Sequence, residues 1–83
     1  MAAYITINGV RYQICDHCLK RMATRGIRKK DIQSCLNYPE VRLIPKEKAD
    51  CSLYIADHPN GKRIQVAVNE KDNVIVTVVW LNP

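Results

Sequence analysis

The sequence predicts a single α+β domain over residues 1–83, with two N-terminal helices packed on one face of an antiparallel sheet of about four strands, and a small N-terminal hairpin. Three observations lead to this prediction. An Asn-Gly turn between short apolar stretches indicates the hairpin. Apolar residues recur at helical spacing in two segments and alternate at strand spacing towards the C-terminus. A chain of 83 residues has room for one core only, because it buries roughly 60–65% of its unfolded surface.

The predicted hairpin turns at Asn8-Gly9, because these residue types accept the two positive φ angles of a type I′ turn. Pairing Ile7 with Val10, and Ile5 with Tyr12, directs the apolar side chains of both strands to one face. The register is therefore consistent with a hairpin that has one covered face.

Two helices are predicted after the hairpin. The first runs from Asp16 to about Arg25, and Gly26 is suited to end it. The second runs over residues 29–37, and Pro39 prevents its continuation. Each helix has an apolar face that contains cysteine, since Cys18 and Cys35 fall on these faces.

Three consecutive cations, Arg28, Lys29 and Lys30, lie at the predicted start of the second helix. Positive charge is unfavourable there, and no Ser, Thr, Asp or Asn precedes the helix to cap it. The cost is about 0.5–1 kcal/mol. We therefore expect a helix start that is suited to receiving an anion.

The remainder of the chain predicts strands joined by turns. The strands cover residues 41–45, 51–56, 62–68 and 74–81, and turns at 59–61 and 70–73 join the last three as antiparallel hairpins. The last strand is apolar on both faces, which indicates a central position in the sheet.

The composition indicates a basic, soluble protein. Thirteen Lys and Arg against eight Asp and Glu give a formal net charge of +5, which would attract phosphate backbones or acidic proteins. The longest apolar run, residues 74–81, is far shorter than the ~20 residues that span a bilayer, and no signal peptide is apparent. We expect a cytoplasmic protein without membrane contact, and cysteines that stay reduced.

The first helix carries His17, Arg21 and Arg25 at spacings of four residues, so that their side chains stack along one side. We call these three residues the basic ridge. In a structural interpretation, Arg25 ties the helix to a carboxylate or to carbonyls of the sheet, because a buried cation needs an acceptor. In a functional interpretation, the guanidinium groups bind a phosphate and His17 moves protons.

The four cysteines allow a weaker alternative. Cys15 and Cys18 form a C-x2-C pair, and with Cys35 and Cys51 they would be enough for a zinc site. The isolation of the last two along the chain argues against zinc. A thioredoxin-like role is also disfavoured, because the pair does not follow a strand of a predicted βαβ unit. His58 is placed in a solvated turn.

Residues 17–27 are HCLKRMATRGI, and they are followed by Asp31-Ile32, Leu36, residues 39–41 and residues 66–68. This pattern resembles the DUF4258 family, whose helix is roughly H-A-x-x-R-M-x-x-R-G-I. The resemblance covers residues 12–80. It implies a fold similar to that of the barnase, colicin and RelE group of metal-independent ribonucleases, although the family itself has no known function. The histidine and two arginines of the family motif correspond to the basic ridge. Two departures are Cys18, where a small apolar residue is usual, and the cations at 28–30, where Ser or acidic residues are common.

The leading hypothesis is a toxin-like ribonuclease that cleaves RNA through its 2′-hydroxyl, without a metal or other cofactor. Its candidate catalytic residues are His17 as acid or base, Arg21 and Arg25 on the phosphate, Arg63 as an auxiliary cation, and Tyr54 or Thr77 as partners. Its candidate RNA-binding residues are Lys20, Arg28, Lys29, Lys30 and Trp80, the last by stacking on a base.

Two alternatives stay open. The first is a non-catalytic basic module that binds nucleic acid or an acidic protein partner such as an antitoxin. The second is a small zinc-stabilised domain.

Overall fold

The computed structural model describes residues 3–47 and 50–81. Its elements in chain order are β1 (Ala3–Ile7), β2 (Val10–Ile14), α1 (Asp16–Arg25), α2 (Lys29–Asn37), β3 (Val41–Leu43), β4 (Cys51–Asp57), β5 (Arg63–Asn69) and β6 (Val74–Leu81). The bounds predicted for both helices and for the last strand are confirmed. The strand predicted over residues 41–45 is shorter, because β3 ends at Leu43.

The prediction of an antiparallel sheet of about four strands, with two N-terminal helices on one face, is wrong. All six strands form one mixed sheet in the order β1-β2-β6-β5-β4-β3, and two of them precede the helices. The N-terminal hairpin belongs to this sheet because β2 pairs with β6 in parallel, with Ile14 opposite Ile75. β6 is apolar on both faces and is central, as its composition indicates. Its two neighbours in the sheet are β5 and the hairpin strand β2.

The hairpin itself has the predicted geometry. Asn8 and Gly9 have φ angles of 50° and 82°, as a type I′ turn requires. Ile7 lies opposite Val10, and Ile5 lies opposite Tyr12. The turn rule therefore determines the register of β1 and β2, although it says nothing about their partner β6.

The two helices begin and end through different contacts. The sulfur of Cys15 accepts a hydrogen bond from the Cys18 N–H at 3.4 Å, at the start of α1. α1 ends at Gly26, which has a φ of 67°, a conformation that glycine adopts without a Cβ penalty. α2 is capped from within, since Asp31 accepts the Arg28 backbone N–H at 2.9 Å. Asp31 thus accepts the N–H of the N-cap residue, which is the return bond of a capping box.

The core lies between the helices and the sheet. α1 packs on β6, whereas α2 contacts β5, β4 and also β1. Because β1 and β4 lie near opposite ends of the strand order, the sheet curves around α2. The largest fully buried side chains are Ile14, Ile32, Ile64, Ile75, Val66, Val68 and Val78. Neither α1 nor α2 has the length and apolar character needed to cross a membrane.

Candidate functional site

The structure divides the basic ridge into an exposed part and a tethered part. His17 and Arg21 are exposed on α1, and the Arg21 Nε donates to the His17 Nε2 at 3.4 Å. Lys20 is exposed on the same helix. These two basic side chains and the imidazole are therefore presented to solvent together.

Arg25 has a different environment. It is partly buried, and its Nη1 donates to the Val78 carbonyl at 2.5 Å. In return, the Trp80 Nε1 donates to the Arg25 carbonyl at 2.6 Å. These two bonds hold the end of α1 against β6. Arg25 thus has the contacts of the structural interpretation, in which it ties the helix to carbonyls of the sheet.

The other predicted catalytic residues have partners of their own. Arg63 forms ion pairs with Glu40 at 3.0 Å and with Asp57 at 3.2 Å. Thr77 lies opposite Ala67 in the β5–β6 pair, on the sheet face that alternates with the buried one. Neither contact joins these residues to His17.

Tyr54 lies on β4 and donates a hydrogen bond from its hydroxyl to the carboxylate of Glu70. Burial raises the pKa of Tyr54 to about 12, and the neighbouring Glu70 carboxylate adds to this increase. The phenol therefore stays protonated at neutral pH. Its polar contact is with Glu70 and not with the basic ridge.

A cleft of about 500 Å³ opens where α1 meets α2. Its walls come from the α1–α2 junction, the first two turns of α2, the β4–β5 turn and the end of β6. It brings together three of the predicted RNA-binding residues, namely Arg28, Lys30 and Trp80. Lys20 and Lys29 are exposed but do not line it.

His58 is a residue of this cleft whose contacts the sequence did not predict. Its Nε2 lies 2.8 Å from the Asp31 carboxylate, and its Nδ1 accepts the Asn60 N–H at 3.1 Å. These partners assign the neutral tautomer with the proton on Nε2. The ring also meets Trp80 edge-on, with centroids 4.9 Å apart. His58 was expected in a solvated turn, but its side chain is only 22% exposed.

The contacts of Asp31 keep its carboxyl group ionised. Burial acts to raise its pKa, but the hydrogen bonds from the Arg28 backbone and from His58 outweigh burial and leave the pKa below its usual value. The nearby Lys30 acts in the same direction. A carboxylate with a lowered pKa stabilises the folded state above its unfolded pKa of 3.8, and this stabilisation is lost as the pH falls through the folded value.

We therefore expect Asp31→Asn to lower the free energy of unfolding by about 1–2 kcal/mol near neutral pH. The difference from the unsubstituted chain should shrink at acidic pH, as the pH falls through the folded-state pKa of Asp31, which lies below 3.8. Urea unfolding at both pH values checks this. Asp72→Asn is a suitable control, because Asp72 is exposed in the β5–β6 turn. If Asp31→Asn lowers the free energy of unfolding equally at both pH values, the charge of Asp31 is not what stabilises the start of α2.

The charges that line the cleft do not cancel. Asp57 pairs with the cation Arg63, whereas Asp31 accepts a hydrogen bond from the neutral His58 and keeps its negative charge. Within residues 3–47 and 50–81, no carboxylate lies within 4 Å of the charged groups of Arg28 or Lys30. With Arg63 counted, three cations and two carboxylates give the cleft a formal net charge of +1.

The cysteines are free thiols. Cys18 and Cys35 are buried in the core, as their positions on apolar helix faces predict. β2 precedes the C-x2-C pair and runs parallel to β6, but α2 and three strands separate α1 from β6, so these elements are not a βαβ unit. Burial also raises the pKa of Cys18 to about 12, which disfavours the thiolate needed for disulfide exchange. The described residues contain no group of three or more His, Cys, Asp or Glu that could hold a metal ion.

Comparison with known proteins gives one match. The family described as a domain of unknown function, DUF4258, matches residues 14–80. No curated protein and no solved structure matches the chain.

Proposed function

Because the chain belongs to the DUF4258 family of unknown function, we propose a function from its surface, namely that it binds RNA. The contacts come from Lys20, Arg21, Arg28, Lys29 and Lys30, which we call the basic surface. The protein would hold the phosphate backbone of RNA there, as basic surfaces do through release of counterions.

One observation supports this proposal above the others. All five side chains of the basic surface are exposed, and none forms an ion pair within the described part of the chain. By contrast, Arg42 and Arg63 pair with carboxylates. The basic surface groups five unpaired cations on α1 and on the start of α2. The described part of the chain has four other exposed lysines and arginines that form no ion pair, but they are scattered along it: Arg11, Lys46, Lys62 and Lys71. A set of uncompensated cations on neighbouring elements is suited to a polyanion.

Cleavage of the bound RNA is a second candidate, and the contact between His17 and Arg21 favours it. In this reaction, the 2′-hydroxyl attacks the adjacent phosphorus, its proton passes to a base, and the 5′-oxygen leaves with a proton from an acid. His17 could move one of these protons while Arg21 stabilises the phosphate. Binding ranks above cleavage because Arg25 and Arg63 are already engaged with protein partners.

Binding is tested by titrating fluorescently labelled RNA with the purified protein in EDTA at several salt concentrations. Five phosphate contacts predict a slope of log affinity against log salt of about −3 to −4 for a single strand. Arg21→Gln should weaken binding and make the slope about 0.7 less steep. Binding that is absent or independent of salt would contradict the proposal. Equal affinity for poly-glutamate would instead favour an acidic protein partner, such as an antitoxin.

Cleavage is tested with the same RNAs. We compare product formation by the unsubstituted chain with that of His17→Ala, which removes the imidazole from an exposed helix position. Products with a cyclic phosphate that disappear in the variant would support the ribonuclease candidate. Equal cleavage by both proteins, or none by either, would reject it.

A further inference from the structure

We infer that the cleft at the α1–α2 junction holds one unpaired ribonucleotide of the bound RNA, with its base against Trp80 and its phosphate at Arg28 and Lys30. This inference rests on the proposed function and specifies its substrate as single-stranded RNA. None of the three residues of the basic ridge lines this cleft.

The charges at the cleft leave two cations unpaired. Of the two carboxylates that face the cleft, Asp57 is neutralised by Arg63 at 3.2 Å, whereas Asp31 accepts a hydrogen bond from the neutral His58 and keeps its negative charge. Arg28 and Lys30 have no such partner among the described residues. Their side chains can therefore pair with an anion. At the start of α2, Asp31 already occupies the Arg28 backbone N–H, so the inference places the anion at the two side chains.

An aromatic side chain forms part of the cleft wall. Trp80 lines the cleft and is partly buried. Its Nε1 is committed to the Arg25 carbonyl, so the indole offers the cleft aromatic surface and no donor. The planes of the Trp80 and His58 rings are 73° apart. Aromatic surface next to cations suits a base and its phosphate, since stacking a base on an aromatic ring contributes about 1–3 kcal/mol.

Hydrogen bonds within the protein hold the walls of the cleft in place before any ligand binds. The β4–β5 turn is tied to α2 through His58 and Asp31, and the Asn60 side chain accepts the Lys62 N–H at 2.9 Å. Arg25 and Trp80 tie the opposite wall to β6. A volume of about 500 Å³ falls within the range of small-molecule sites. A preformed cleft binds with little loss of conformational entropy.

These features favour an unpaired nucleotide over a base pair. In a duplex, each base is stacked and paired, and its face is not available to a protein side chain. A nucleotide in a loop or single strand can turn its base outward and present its phosphate at the same time. We therefore expect the protein to prefer single-stranded RNA to duplex RNA of equal charge.

Trp80 is the only tryptophan, so its fluorescence reports on the cleft. We expect AMP to change this fluorescence saturably, and to bind at least about tenfold more tightly than inorganic phosphate or adenosine alone. Arg28→Gln and Lys30→Gln should each weaken AMP binding by about three- to tenfold. Lys71→Gln is the matched control, because Lys71 is exposed in the β5–β6 turn.

Titration calorimetry with AMP serves as a second measurement, in case stacking leaves the fluorescence unchanged. A lack of AMP binding by both methods would overturn the inference. AMP and phosphate binding with equal affinity would overturn it as well, because the base would then contribute nothing.

The last comparison uses a single-stranded RNA and its duplex. Competition between AMP and the single strand, with weaker binding of the duplex, would support the inference. Salt-dependent RNA binding without AMP binding would overturn it and leave the proposed function standing. AMP binding without RNA binding would overturn both proposals and indicate a site for free nucleotides.

Discussion

Replacing Lys29 and Lys30 together with glutamate is expected to lower the affinity for RNA by about 30- to 100-fold. The double change removes two exposed cations from the basic surface and adds two charges that repel phosphate. The salt dependence should also become less steep, since each lost phosphate contact removes about 0.7 from the slope for single strands. Fluorescence anisotropy with labelled RNA at two or more salt concentrations measures both quantities.

This variant separates binding from folding, because its effect on stability has the opposite sign. Glutamate in the first turn of a helix interacts favourably with the helix dipole, by about 0.3–1 kcal/mol for each residue. Repulsion between the carboxylate introduced in place of Lys30 and the adjacent Asp31 offsets part of this gain. We therefore expect a free energy of unfolding that is unchanged or slightly higher. Lys46→Glu combined with Lys71→Glu serves as the control, because it changes the net charge by the same amount at two exposed lysines outside the basic surface. An equal loss of RNA affinity there would mean that only net charge matters.

The second large effect is expected at Arg25. Arg25→Met should lower the free energy of unfolding by about 2 kcal/mol, because it leaves the Val78 carbonyl without its charged donor. Methionine preserves most of the apolar stem, so the loss reports mainly on the hydrogen bond. Urea unfolding measures this difference.

Arg21→Met is the matched comparison for Arg25→Met. Arg21 is exposed on the same helix, four residues earlier, and its replacement should change the free energy of unfolding by less than about 0.5 kcal/mol. It should nevertheless weaken RNA binding, whereas Arg25→Met should leave the affinity of the folded protein nearly unchanged. If Arg21→Met instead lowers the stability and Arg25→Met lowers the RNA affinity, the assignment of Arg21 to binding and Arg25 to stability is wrong.

The helices and the hairpin could be predicted because their determinants are local. Asn8-Gly9 determines a type I′ turn by backbone sterics alone, and Gly26 ends α1 by the same kind of preference. The spacing of Cys18 and Met22 on one helix face likewise predicts which side of α1 is buried. These features depend on residues within a few positions of one another.

The sheet and the cleft could not be predicted in this way. The parallel pairing of Ile14 with Ile75 joins strands separated by most of the chain, and no turn sequence marks it. The contact between Asp31 and His58 spans 27 residues and requires the β4–β5 turn to fold over the start of α2. His58 lies next to Pro and Gly, as residues of many solvated turns do, so the local sequence gives no indication of its contact with Asp31.

Composition and spacing alone established that this is a small basic α+β chain with two short helices, and that His17, Arg21 and Arg25 lie along one side of the first. The tertiary structure decided what each of them contacts. Arg25 is held by β6, His17 and Arg21 remain exposed, and the proposed nucleotide cleft forms where α1 meets α2. The physical reason is that helical periodicity places side chains on a face, whereas their partners are set by packing against strands that lie far away in the chain.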